Sequence, residues 1–213
     1  QLLAELRESN LYDNTTIIYA SDHGESLGNR GLWGKMTMYE DSASIPLIIK
    51  GPNFSRGEIC QTPVTLIDLY PTIFDILSLH SIQNDTEIDG KSLRLIANEA
   101  YDKNRSIISE YHGAGSYGGA FMLRRGDYKY IYYVGHQSEV FDIKNDPDEK
   151  QNLAGDPSFR SLVDGLDKAL RSVIDPEKVD KAARSDQRKM LEDVGGIDFV
   201  LNRGNYAGTP VGS

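Results

Sequence analysis

Apolar and polar positions change period several times along the 213 residues, and each change marks an element. Leu2, Leu3 and Leu6 space as one face of a helix over residues 1–10. Residues 15–20 are β-branched and aromatic and predict a buried strand. A second apolar strand is expected over 45–50, stopped by Gly51-Pro52-Asn53. In the apolar block 63–79, Pro71 suits the first turn of a helix, with Ile73, Ile76 and Leu77 along one face. His80 follows as a solvated C-terminal residue of that helix, and 81–86 is an exposed loop. Asp89-Gly90-Lys91-Ser92 introduces a short helix to residue 98. A strand over 105–110 runs into the glycine-rich stretch 113–119.

The second half reads as a hairpin and two helices. Residues 120–123 and 128–134 pair across Arg125-Gly126-Asp127, and a third strand follows at 140–143. Tyr128, Tyr130 and Tyr132 alternate with Lys129, Ile131 and Tyr133, which makes one strand face aromatic and suits packing on a helix. An amphipathic helix over 157–174 carries the stripe Phe159, Leu162, Val163, Leu166 and Leu170. Asp175-Pro176 breaks it, and a strongly charged helix follows over 176–194 before Gly195-Gly196. Residues 197–201 form a helical turn and 202–213 a Gly/Pro tail. The charged helix and tail either reach a neighbouring subunit, as a homo-oligomer arm, or fold back on their own domain.

The candidate chemistry sits at the end of the first strand, in Ser21-Asp22-His23-Gly24-Glu25. Open α/β sheets bind ligands at that edge. A carboxylate beside an imidazole is half of a divalent-metal site, although the same residues also suit a plain turn. Gly31-Leu32-Trp33-Gly34-Lys35 follows, so an ammonium lies on the same loop. Lys35 is either a solvated loop lysine or a group that meets an anion. Asp68 is expected to cap or bridge rather than to catalyse. His112, delivered by the strand at 105–110, either contacts an anionic group and acts as an acid, or bonds locally against Tyr111.

Ser21-Asp22-His23-Gly24-Glu25, Leu27-Gly28, Gly31-Leu32-Trp33-Gly34-Lys35 and Ile45-Pro46-Leu47-Ile48 together resemble the sulfatase branch of the alkaline-phosphatase-like superfamily. Residues 63–73, 89–93, 123–130 and 141–149 are also sulfatase-like. His23 stands where most arylsulfatases carry Asn, which is similar to the choline-sulfatase and phosphonate-monoester-hydrolase side. The resemblance implies an α/β fold: the C-terminal part of an alkaline-phosphatase-like mixed sheet with flanking helices, plus a small antiparallel sheet packed on a helix and a C-terminal helical arm. It implies residues 1–118 as catalytic-domain sequence, 119–174 as the small sheet subdomain and 175–213 as the extension. It implies Asp22 and His23 as metal ligands, and Lys35 and His112 as catalytic residues. The metal is expected to be Ca2+, with Mn2+ or Mg2+ as alternatives. The reaction is expected to be sulfate-ester hydrolysis on a small-molecule or sugar ester by a formylglycine nucleophile. The alternatives are a phosphodiesterase or phosphonate monoester hydrolase, or a non-catalytic sulfatase-like module.

Composition narrows this only a little. The net charge of −9 argues against a nucleic-acid partner. No apolar run is long enough to span a bilayer. The lone cysteine, Cys60, lies in Glu58-Ile59-Cys60-Gln61-Thr62-Pro63, which lacks a Cys-x-Pro-Ser-Arg pattern. The chain opens inside a helix without Met. It therefore reads as the C-terminal part of a larger enzyme whose nucleophile lies upstream, inactive alone, and its compartment is open.

Overall fold

The computed structural model describes residues 1–79, 89–113 and 116–202. It is a mixed α/β structure in which every strand pair among the described residues is antiparallel. Helix α1 (Leu2–Glu8) leads into β1 (Ile17–Ala20), which pairs with β4 (Leu47–Lys50). Between them lie the short hairpin β2 (Ser26–Leu27) and β3 (Trp33–Gly34), then helix α2 (Glu40–Ala43). The strand at β1 forms as expected, but it is not fully buried. Tyr19 is 62% exposed and its partner Ile48 is 63% exposed, and among the described residues β4 is the only strand paired with β1.

Helix α3 (Leu69–Ile76) has Pro71 in its first turn, where a missing N–H costs nothing. Ile73 and Leu77 do not line a buried face. Both are largely exposed, and the buried positions are Asp68 and Thr72. Thr72 Oγ1 accepts from Leu93 N at 2.7 Å, which docks α3 on α4 (Leu93–Asn98). The expectations for His80 and the loop 81–86 lie outside the described residues, as does that for the tail from 203 onward.

The main core surrounds a four-stranded sheet, β5 (Ser106–Tyr111), β6 (Ala120–Arg125), β7 (Tyr128–Tyr133) and β8 (Glu139–Asp142). A tight turn joins β6 to β7, with Gly126 at φ +55°. Both faces of the sheet are covered. On one, Phe121, Leu123, Tyr130 and Val140 pack on Leu166 and Leu170 of α5 (Arg160–Arg171). Tyr128 and Tyr132 join that cluster, so the aromatic stripe packs on the helix as its period implies. On the other face, Met122, Ile131 and Phe141 pack on Met38, Tyr39 and Ala43. Burying Met38 presses the segment after β3 against the sheet, and this ties the candidate loop to the core. Helix α6 (Pro176–Asp193) is capped by Asp175, whose carboxylate accepts from Lys178 N. Its Asp180, Arg184 and Gln187 fold back on Gly119, Tyr117 and His112, and α7 (Gly196–Asn202) follows.

Candidate active site

Ser21, Asp22, His23 and Gly24 leave the C-terminal end of β1 in a tight turn. Ser21 Oγ donates to the His23 carbonyl at 2.7 Å. Gly24 N donates to the Ser42 carbonyl at 2.8 Å, and a Cβ at residue 24 would lie 2.1 Å from the Asp41 carbonyl oxygen. Only glycine lets the loop pass this close to α2.

His23 Nδ1 lies 2.7 Å from the Gly24 carbonyl oxygen. A carbonyl only accepts, so Nδ1 carries a proton and donates to it. Nε2 faces Asp22 Oδ2 at 3.3 Å and Lys35 Nζ at 2.6 Å. Lys35 reaches this point because it follows Gly34, whose φ of +92° turns the chain out of β3. Asp22 is 83% exposed in its side chain. Its carboxyl is held below the usual range, first by a hydrogen bond to its own backbone amide. Partial desolvation opposes this, and the nearby His23 and Lys35 add to the lowering.

The donor chemistry fits part of a divalent-metal sphere. A hard carboxylate oxygen and an imidazole Nε2 converge, and anchoring Nδ1 on a carbonyl fixes the tautomer that a metal needs. Among the described residues no group of three or more His, Cys, Asp or Glu converges, so this pair does not complete a coordination sphere.

His112 stands apart. Its ring meets Phe121 edge-on at 5.3 Å, and Glu110 Oε2 lies 3.7 Å from Nε2. Both ring nitrogens are buried, and among the described residues neither has a hydrogen-bond partner. Gln187 Nε2 donates to its backbone carbonyl, and Asp180 Oδ1 accepts from Gly119 N at 2.7 Å. Among the described residues no hydrogen bond or ion pair joins His112 to Asp22, His23 or Lys35. The structure thus assembles three of the four expected site residues and leaves the fourth under α6.

Sequence reading missed the groups beneath the loop. Lys129, 1% exposed, pairs with Glu40 and with Glu149 Oε1 at 2.8 Å and donates to the Met38 carbonyl at 3.0 Å. The available signal was a lysine on the inward-alternating side of an aromatic strand. Arg30 donates to the carbonyls of Asp148 and Glu149, and nothing in its own neighbourhood of sequence announced this.

The N-sulphoglucosamine sulphohydrolase C-terminal family matches residues 28–176. Arylsulfatase K of Xenopus laevis is 36% identical over 84% of this chain and 35% of its own length. The choline-sulfatase of Rhizobium meliloti (strain 1021) is 36% identical over 74% of this chain and 30% of its own length. This chain therefore spans about a third of the curated relatives it matches. Among solved structures, one in complex with its substrate D-glucosamine-2-N,6-O-disulfate superposes with a TM-score of 0.67 at 27% identity. It covers 81% of this chain and 36% of its own. The phosphonate monoester hydrolase of Silicibacter pomeroyi superposes with a TM-score of 0.68 at 30% identity, covering 80% and 37%. These matches carry the alkaline-phosphatase-like fold as well as the sequence. The chain belongs to the sulfatase family and corresponds to its C-terminal part.

Proposed function

We propose that this chain forms the C-terminal part of a sulfuric ester hydrolase, with Asp22 and His23 holding a divalent metal and Lys35 meeting the ester. The observation that carries this is the Lys35 ammonium, 2.6 Å from the metal-competent nitrogen of His23. When bound, the metal supplies positive charge beside the ester oxygens. Ca2+ suits the carboxylate, and the imidazole widens the choice to Mn2+ or Mg2+.

The chain's own residues do three things in this reading. Asp22, ionised and open to solvent, presents an anionic oxygen. Gly24 fixes the His23 tautomer through its carbonyl. Lys35 presents a point charge to the sulfate and to the oxygen that leaves. The formylglycine nucleophile is expected in sequence outside these residues, since the segment around Cys60 lacks the Cys-x-Pro-Ser-Arg pattern. Small-molecule or sugar sulfate esters are the proposed substrates, supported by the relative solved with a glucosamine disulfate.

A second reading, phosphonate monoester hydrolysis, is favoured by the 30% identity to the Silicibacter pomeroyi enzyme and by His23 in the site. The deciding experiment compares hydrolysis of 4-nitrophenyl sulfate and 4-nitrophenyl phenylphosphonate by the enzyme containing this chain, alongside its Asp22→Ala variant. Sulfate hydrolysis lost together with bound metal in the variant supports the proposal. Unchanged turnover and metal content in the variant would sink it, and a preference for the phosphonate would select the second reading.

A further inference from the structure

Two non-glycine residues in the left-handed region of φ meet beneath the candidate site. They are Arg30 at φ +56° and Glu149 at φ +52°. Strained residues of this kind persist only where their surroundings over-determine them, and they gather at sites where geometry matters. Here the surroundings are explicit. The Arg30 guanidinium donates to the carbonyls of Asp148 and Glu149 and lies over the Tyr39 ring at 4.3 Å. Glu149, 2% exposed, receives Glu40 N on Oε2 at 2.8 Å and faces Lys129 Nζ with Oε1 at 2.8 Å. Lys129 also pairs with Glu40 and donates to the Met38 carbonyl.

These contacts grip one segment at both ends. Arg30 holds its start, and Met38 and Glu40 are held at its finish. Lys35 lies between the two grips, on the stretch that reaches back to His23. A buried ion triad is a poor way to gain stability, since apolar side chains of similar volume serve as well or better. What it supplies is direction: each partner fixes the others in one arrangement.

We infer that Lys129, Glu149 and Arg30 are positioning residues, which act through the 30–40 segment to place Lys35 beside His23. The clamp is a property of the fold, while its catalytic purpose rests on the sulfatase reading above.

Hydrogen exchange tests it in the intact protein, comparing peptides over 29–40 with peptides over 120–133. Two variants are used: Arg30→Ala, which leaves the sheet core untouched, and the charge-neutralising double variant Lys129→Met with Glu149→Gln. Exchange over 29–40 is expected to rise about 10-fold or more in both, with 120–133 still protected. Hydrolysis of 4-nitrophenyl sulfate is expected to fall in the same variants through kcat more than through KM. Wild-type protection of 29–40 in both variants would overturn the clamp. A loosened segment with wild-type turnover would overturn its positioning role. Should the double variant unfold the sheet, Arg30→Ala alone decides. Should the wild-type enzyme turn over no sulfate or phosphonate ester, the functional reading fails and the exchange result still decides the clamp.

Discussion

The Asp68 carboxylate and the Arg105 guanidinium meet across 37 positions of sequence, with Nη2 at 2.6 Å and 2.7 Å from the two carboxylate oxygens. Asp68 is fully buried and also accepts from Thr65 N and Lys91 N. It therefore joins the start of α3, the approach to α4 and the entry to β5, which is the bridging role its sequence position suggested. Asp68→Ala leaves the guanidinium and two amides without their acceptor. Breaking such a pair from one side costs about 3–5 kcal/mol. Urea unfolding should show the unfolding free energy falling by that measure, and a loss below about 1 kcal/mol would mean the pair is only a surface-like contact.

Gly24 offers a test of the site turn itself. A methyl group at that position meets the Asp41 carbonyl oxygen at 2.1 Å, and the obstacle is backbone that cannot rotate away. Gly24→Ala should cost about 1–3 kcal/mol through forced displacement of the turn or of α2. Because the same residue's carbonyl orients His23, the proposed metal site predicts that metal affinity in the holoenzyme falls as well. A variant with unchanged stability and unchanged metal titration would show that the turn is slack.

The secondary structure was legible where the period was local. The tyrosine stripe of β7 and the Phe159, Leu162 and Val163 stripe at and before α5 follow their spacing, and the structure packs the two together. Asp22, His23 and Lys35 were legible because one short loop carries all three. Exposure on β1 was not, because a strand's sequence states which residues prefer burial and not what covers them. Lys129 with Glu40 and Glu149 was equally hidden. Those partners come from α2 and from the turn after β8, and only tertiary packing brings them to one lysine. The contact of α6 with His112 was hidden for the same reason: Gln187, 75 positions further on, donates to the His112 carbonyl, and only tertiary packing brings the two together.

Tyr39 supplies an alkaline test of the packing under the loop. Its hydroxyl donates to Glu139 at 3.0 Å, and Tyr133 donates to the same carboxylate. Desolvation, helped by the charge of Glu139, pushes the Tyr39 phenol up to about 12 from an ordinary 10.0. The neutral phenol is thus favoured in the folded chain. Its contribution is whole below pH 10 and is lost as pH rises through 12. Tyr39→Phe should lower stability at neutral pH by about 1 kcal/mol and flatten part of the decline between pH 10 and 12. Parallel urea-midpoint profiles for the two proteins would remove the phenol from that decline.

Glu177 tests how α6 is fixed to the rest of the chain. Its carboxylate accepts from Arg171 Nη1 at 2.8 Å and from the Tyr132 hydroxyl at 2.6 Å. Arg171 first, and Tyr132 second, draw the carboxyl down from 4.5 to about 2, against a smaller cost of desolvation. A depressed carboxyl stabilises the fold above its unfolded value and loses that contribution as pH falls through the folded one. The window is therefore pH 4.5 down to 2. Glu177→Gln should be less stable than the wild type at neutral pH, and the gap should close across that window. Glu177 is 48% exposed, so raising salt should also narrow the gap. Thermal unfolding at several pH values separates this from the alternative, in which apolar packing alone seats α6. In that case the two curves would run parallel from neutral pH to acid. Convergence would show that this carboxylate, shared between a tyrosine of β7 and an arginine of α5, adds to the contacts that seat the helix over His112.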